Sequence, residues 1–129
     1  MDAEDLIGTW KLVKAVATDP AGNDLPLPYG PEPMGTLTLD RGGRMMAVLC
    51  DGRNSIPNGQ TRAYSSYCGN YEFVAGQLVT TVDAAAVASR IGSKQVRDVE
   101  LRDSDLVLRP PPREGGEQRE LTWKLVGAA

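Results

Sequence analysis

Short stretches of alternating apolar and polar residues, separated by glycine- and proline-rich turns, run through most of this 129-residue chain. A period of two places successive side chains on opposite faces of a β-strand. The 14 glycines and 9 prolines interrupt the chain too often for a bundle of long helices. We predict eight strands, at residues 9–18, 35–40, 45–50, 70–74, 77–84, 95–102, 105–109 and 117–126.

The turns between these strands predict how the sheet is connected. Turns of two to four residues follow the second, fourth and sixth strands, which favours hairpins over the long crossovers of a sandwich. Closure of the sheet removes the exposed edges that a flat sheet would leave. We therefore predict one all-β domain, residues 1–129, folded as an eight-stranded antiparallel up-and-down β-barrel. A short N-terminal helical turn is expected at residues 3–6, and a second near residues 61–66.

Composition excludes several classes of function. The chain contains no histidine, which excludes serine–histidine and cysteine–histidine catalysis and any imidazole zinc site. We expect no metal and no cofactor. The net charge of -3 argues against binding to nucleic acid or to an anionic membrane.

The two cysteines, Cys50 and Cys68, are too few for a disulfide framework. We expect reduced thiols and a cytoplasmic protein, although the two cysteines lie on adjacent predicted strands.

Several motifs carry a resemblance to a known family. Gly8-Thr9-Trp10, at the entrance to the first strand, resembles the Gly-x-Trp signature of lipocalins, in which the tryptophan plugs the closed end of the barrel. Further stretches resemble the small bacterial and fungal lipocalin-like domain family: Tyr29-Gly30-Pro31, Asp40-x-Gly-Gly-Arg-Met45, Tyr67-x-Gly69-x-Tyr71-Glu72, Gly92-x-x-Gln95-Val96-Arg97 and Leu121-x-Trp123. The resemblance implies a calycin-type barrel. It leaves the activity open, because that family has no single established one.

Strand alternation predicts which side chains face the interior. Gln95 and Arg97 share a face with Val99 and Leu101, and Lys14 shares a face with Trp10. If Trp10 lies at the closed end, Gln95 and Arg97 lie in the half of the barrel near the mouth. An apolar pocket with a few cations suits an amphipathic anion such as a fatty acid or an aromatic carboxylate. The candidate ligand-binding residues are Arg97, Gln95, Lys14, Tyr71, Phe73, Tyr29 and Tyr64.

Alternatives remain open at this stage. Arg97 either contacts a ligand or braces the wall by pairing with a carboxylate such as Asp83, and Tyr71 and Phe73 also fit a plain core. The leading function is binding of one small hydrophobic or amphipathic, anionic molecule, by a monomer or a homodimer. The alternative is a cofactor-free cyclase or isomerase of secondary metabolism, with a cation and a tyrosine acid (Tyr29, Tyr64 or Tyr71) in the same cavity. A third possibility is a barrel filled by its own side chains.

Overall fold

Eight antiparallel strands pair in chain order, and the first strand pairs with the last, so that the sheet closes into a barrel. The computed structural model describes residues 1–127. The strands are β1 (Gly8–Thr18), β2 (Pro33–Leu39), β3 (Arg44–Asp51), β4 (Tyr64–Val74), β5 (Gln77–Ala85), β6 (Lys94–Arg102), β7 (Asp105–Arg109) and β8 (Gln118–Gly127). Two short 3₁₀ turns, Ala3–Leu6 and Ala88–Arg90, complete the fold. The predicted eight-stranded up-and-down barrel is confirmed.

The N-terminal turn closes one end of the barrel. Asp2 caps it: the Asp2 carboxylate accepts a hydrogen bond from the Glu4 amide at 3.1 Å, and the Asp5 carboxylate accepts one from the Asp2 amide at 2.9 Å. This reciprocal capping orders a turn too short to be stable alone. Leu6, at the end of the turn, is fully buried, and its carbonyl accepts a hydrogen bond from Nε1 of Trp10 at 2.9 Å. Trp10 and this turn therefore form the floor.

The core follows the alternation along each strand. On β3 both faces are apolar in sequence, and the structure buries Met45, Ala47 and Leu49 while Met46 and Val48 are exposed. We call the end opposite Trp10 the mouth; β1 and β3 finish there, and β4, β6 and β8 begin there. The buried hydrophobic cluster comprises Leu6, Trp10, Leu12, Leu37, Leu39, Met45, Ala47, Leu49, Tyr67, Leu78, Val82, Leu106, Leu108 and Trp123.

A β-bulge in β1 overturns the predicted inward position of Lys14. Leu12 pairs with Trp123, but the next pair along the ladder joins Lys14 to Thr122, so Val13 is an extra residue. One extra residue reverses the face of every side chain that follows it. Lys14 is consequently exposed on the outside of the barrel, and Ala15 faces inward at 3% exposure.

The strand β4 is longer than predicted. Residues 61–66 do not form a helical turn: β4 begins at Tyr64 and pairs with β3 from Cys50 opposite Tyr64 to Arg44 opposite Asn70. Its first half follows a polar loop and carries Ser65, Ser66 and Gly69, which interrupt the alternation typical of a strand. Pairing along the whole of β3 overrides that weak local signal.

The two cysteines are free. Cys50 pairs with Tyr64, and Cys68 pairs with Met46, so they are four positions apart along the β3–β4 ladder. Four positions correspond to roughly 13 Å, well beyond the 7 Å or so that a disulfide can span. Their reduced state therefore follows from the fold and carries no information about the cellular compartment. Among the described residues, none of the helices is long and apolar enough to cross a membrane.

A close backbone approach at Gly69 gives the first prediction. A Cβ at this position would stand 1.9 Å from the carbonyl oxygen of Thr81 on β5. We expect Gly69→Ala to lower the free energy of unfolding by about 3 kcal/mol, because the β4 and β5 backbones must separate to admit a methyl group. The measurement is urea denaturation. Gly127→Ala is the matched control, since a Cβ there meets nothing within 4 Å; equal stability of the two variants would contradict the prediction.

Candidate functional site

A cavity of about 110 Å³ lies inside the barrel, with its charged lining towards the mouth. Its apolar wall is formed by Leu37, Ala47, Leu49, Leu108, Leu121 and Trp123. An engineered apolar cavity of about 150 Å³ holds a benzene molecule, so the space here matches one small ring or a few methylene groups. The barrel is therefore not completely filled by its own side chains.

Four arginines line the same cavity: Arg90, Arg97, Arg113 and Arg119. Arg97 lies on β6 and Arg119 on β8, and both strands begin at the mouth, so inward side chains near their starts lie there. Arg90 belongs to the 3₁₀ turn between β5 and β6, and Arg113 to the loop before β8. The cations thus occupy the β5–β8 side, whereas β2 and β3 contribute apolar residues.

Neutral groups hold Arg97 in place. Its Nη1 donates a hydrogen bond to the Val96 carbonyl at 2.8 Å, and its Nη2 donates to Oε1 of Gln95 at 3.1 Å. Gln95 in turn donates to the hydroxyl of Ser93 at 3.2 Å. No carboxylate within residues 1–127 approaches the Arg97 guanidinium to 4 Å. Gln95 therefore orients Arg97 without neutralising it.

The suggested brace between Arg97 and Asp83 is wrong. Asp83 lies on the outer face of β5 and accepts hydrogen bonds from both Nη atoms of Arg44, at 2.5 and 3.2 Å. The Arg44 guanidinium holds the pKa of the Asp83 carboxyl below its usual value. Asp83 is committed to the outer wall, which leaves Arg97 available to the cavity.

Arg90 was not predicted as a site residue. Its Nη1 donates to the Ser65 hydroxyl on β4 at 3.0 Å, and its guanidinium lies over the Tyr67 ring at 5.9 Å from the centroid, within cation–π range. Neither contact supplies a negative charge. Strand periodicity says nothing about residues in a turn, so the sequence pattern carried no signal for Arg90.

Arg113 and Arg119 share one carboxylate. Glu117 lies 2.6 Å from Nε of Arg119 and 4.0 Å from Nε of Arg113. The hydrogen bond from Arg119 lowers the pKa of the Glu117 carboxyl, so this group remains ionised at neutral pH. Around the cavity, four guanidinium groups are therefore partnered by a single carboxylate among the described residues.

Tyr29 lines the cavity from the proline-rich loop before β2, as predicted. A buried Asp51 at the end of β3 (3% exposed) holds this loop against the next. Its carboxylate accepts hydrogen bonds from Nε and Nη2 of Arg53 at 3.0 and 2.6 Å, and it packs so closely on Gly30 that a Cβ there would stand 2.5 Å from Oδ2. Gly30 also has a φ of +71°. The loop that carries Tyr29 is thus seated on Asp51.

Three other predicted residues lie away from the cavity. Tyr71 lies near the closed end, where its hydroxyl donates to the Asp40 carbonyl in the β2–β3 turn at 2.6 Å and burial raises its pKa. Phe73 lies further along β4 and packs against the core. Tyr64 faces outward at 56% exposure and bonds Ser66. Tyr71 and Phe73 lie low in the barrel because β4 runs from the mouth to the floor, whereas Tyr64 and Lys14 face outward. Of the three tyrosines suggested as a catalytic acid, only Tyr29 lies at the cavity.

The two tryptophans have different surroundings. Trp10 lies at the floor with its Nε1–H bonded to Leu6, whereas Trp123 lines the cavity, is 2% exposed, and has no acceptor for its Nε1–H within the described part of the chain. The indole emission of Trp123 is therefore a natural reporter of cavity occupancy.

A closed eight-stranded antiparallel barrel with an internal cavity defines a small-molecule-binding barrel in general terms. Residues 7–126 match the model of the lipocalin-like domain, nearly the whole chain. The protein belongs to the lipocalin-like domain family, which confirms the resemblance of its motifs. Among curated proteins, no match to the chain was found.

The Asp51 contact gives a prediction for pH. The hydrogen bonds from Arg53 lower the pKa of the Asp51 carboxyl below its ordinary 3.8. A lowered folded-state pKa stabilises the protein above the unfolded-state value, and this contribution disappears as the pH falls through the folded-state pKa. We expect Asp51→Asn to be less stable than the wild type from pH 5 to 7. The difference should begin to shrink near pH 4, where the carboxyl of the unfolded chain takes up a proton, and the contribution should be lost once the pH has fallen through the lowered folded-state pKa.

Thermal melts of both proteins between pH 2 and 7 measure this effect. Asp24→Asn is the control, because Asp24 is exposed and makes no side-chain hydrogen bond within residues 1–127. A constant gap between Asp51→Asn and the wild type over the whole pH range would show that the Asp51 charge is not what stabilises the loops.

Proposed function

We propose that the barrel binds one small amphipathic anion, with its apolar part in the cavity and its acidic group against Arg97. The observation that carries this proposal is a guanidinium at an apolar cavity with no carboxylate partner among the described residues. A charge at an apolar site is costly unless it is paired. The acceptors bonded to Arg97 are one side-chain amide and one backbone carbonyl, so a ligand anion is the fitting partner.

The size of the cavity limits the size of the proposed ligand. Pockets that enclose drug-sized molecules have volumes of roughly 300–1,000 Å³, several times the 110 Å³ found here. A complete fatty-acid chain would not fit inside. A single aromatic ring suits this space when its acidic group is directed at the arginines, and a longer ligand would leave most of its length at the mouth beside Tyr29. We therefore favour a compact aryl acid over the fatty acid suggested from the sequence.

Arg97→Leu tests the proposal. We expect the affinity for benzoate to fall by about 10- to 100-fold, the loss of one charge-assisted interaction of roughly 1.5–3 kcal/mol. The free energy of unfolding should change by no more than about 0.5 kcal/mol, because no ion pair is broken. The measurements are titrations of Trp123 fluorescence in a Trp10→Phe background and thermal melts without ligand.

Lys14→Leu is the matched control, since it removes one positive charge from the outside of the barrel, and its benzoate affinity should equal that of the parent. Benzamide, which has the same shape and no charge, should respond little to Arg97→Leu. A loss of several kcal/mol of stability in Arg97→Leu would instead identify Arg97 as a structural brace.

A further inference from the structure

We propose that the acidic group of the ligand carries two negative charges and is held by Arg90 together with Arg97. This inference deepens the proposed function and rests on it. The chemical class is a dianionic oxyanion, such as a phosphate monoester or a dicarboxylate, on an apolar body about the size of one ring.

The balance of charge around the cavity supports a dianion. Four guanidinium groups line it, and Glu117 neutralises one of them. Arg113 lies at the 4.0 Å limit of the same carboxylate and is the more exposed of the pair that shares it. Arg90 and Arg97 contact no carboxylate within the described residues, so a monoanion would leave one of them uncompensated beside an apolar wall. The overall charge of the chain is -3, so the positive mouth is a local arrangement and not a property of the whole surface.

The contacts of the two arginines leave donors for a ligand. An arginine side chain carries five N–H donors in a fixed plane. Arg97 uses its Nη1 and Nη2 towards Val96 and Gln95, and Arg90 uses its Nη1 towards Ser65. Each guanidinium is therefore oriented by neutral acceptors and retains further N–H groups. Arginines held in this way suit oxyanions, which accept several hydrogen bonds at once.

The two arginines also reach the cavity from different elements. Arg90 belongs to the 3₁₀ turn Ala88–Arg90 at the rim and is bonded to β4, whereas Arg97 lies four residues into β6. Both guanidinium groups line the same cavity, and an acidic group with several oxygens held between them would meet both. A single carboxylate against Arg97 would leave Arg90 without an anionic partner.

The test compares benzoate, phthalate and phenyl phosphate, titrated against Trp123 fluorescence in the Trp10→Phe background. The second proton of a phosphate monoester titrates near pH 6, so the dianion makes up about a tenth of the phenyl phosphate at pH 5 and nearly all of it at pH 8. We expect the affinity for phenyl phosphate to rise about tenfold over that range, whereas the affinity for benzoate stays nearly constant.

The titratable groups of the protein at the cavity do not account for a change in affinity between pH 5 and 8. The lining groups are Arg90, Arg97, Arg113, Arg119, Tyr29 and Tyr67, and Glu117 contacts Arg119 beside the cavity. Arginines remain charged in this range, Glu117 has a lowered pKa and is ionised throughout, and the chain has no histidine. Benzoate, measured in parallel, reports any change in the protein itself.

Arg90→Gln separates this inference from the proposed function. At pH 8 we expect the variant to bind phenyl phosphate about 10- to 100-fold more weakly, the loss of one charge-assisted interaction, and benzoate within about twofold of the parent. Arg90→Lys, which keeps the charge, should recover part of the loss. Lys14→Gln, with the same change of charge outside the barrel, should bind all three probes as the parent does. Thermal melts establish that each variant is folded.

Each outcome decides one of the two proposals. If benzoate depends on Arg97 but neither phenyl phosphate nor phthalate loses affinity in Arg90→Gln, the anion-binding function stands and the dianion inference is wrong. If none of the probes binds the wild type, both are wrong. Tight binding of phthalate with weak binding of phenyl phosphate identifies a dicarboxylate, and the reverse identifies a phosphate monoester.

Discussion

The interior diameter set by eight strands is the constraint on which the rest of this structure depends. At that strand number the interior accommodates its own side chains or one small ligand. Here large residues such as Trp10, Leu12, Leu39 and Leu106 fill the closed end, and a cavity of about 110 Å³ remains beside the arginines. Every inward charge therefore lies close to an apolar wall. That is why the cations occur at the mouth, where their tips meet loops and strand starts, and why the floor is closed by a tryptophan with a bonded indole.

Much of this arrangement follows from the alternation of residue types. The hairpin turns predicted the up-and-down connectivity, and the parity of β6 placed Gln95 and Arg97 together near the mouth. The bulge at Val13 could not be predicted in the same way. The stretch around Val13 carries apolar residues at both parities, so an extra residue leaves no trace in the pattern, and Lys14 was assigned to the wrong face. The prediction for Tyr64 was wrong because it was assigned to a loop. Tyr64 instead begins β4, in a polar segment whose pairing is set by β3 and not by local preference.

The position of a side chain between the mouth and the floor is also difficult to predict from the sequence. Tyr71 lies at the closed end, where its hydroxyl meets the turn at Asp40, because β4 descends from the mouth. Tyr29 and Arg90, unlike Tyr71, line the cavity. Both lie outside the strands, and their places at the cavity depend on tertiary contacts with Asp51 and Ser65. Tyr29 was predicted from the position of its loop and its amphipathic side chain, whereas Arg90 had no comparable signal. A binding site made partly of turns is visible only after the strands that carry the turns are paired.

The pairing of β1 with β8 joins residues near the two ends of the chain, as in the contact between Thr9 and Gly127. Contacts of such long sequence separation form slowly, because the intervening chain must be ordered first. Arg119, Leu121 and Trp123 all belong to this last strand. The complete cavity consequently exists only in the closed barrel, and a chain that is still open at this seam lacks one wall of the site. A ligand would bind the closed form selectively and stabilise it by about 2.7 kcal/mol at a concentration one hundred times its dissociation constant. Bound ligand would then lower the fraction of chains that are open at this seam, and with it their exposure to proteolysis.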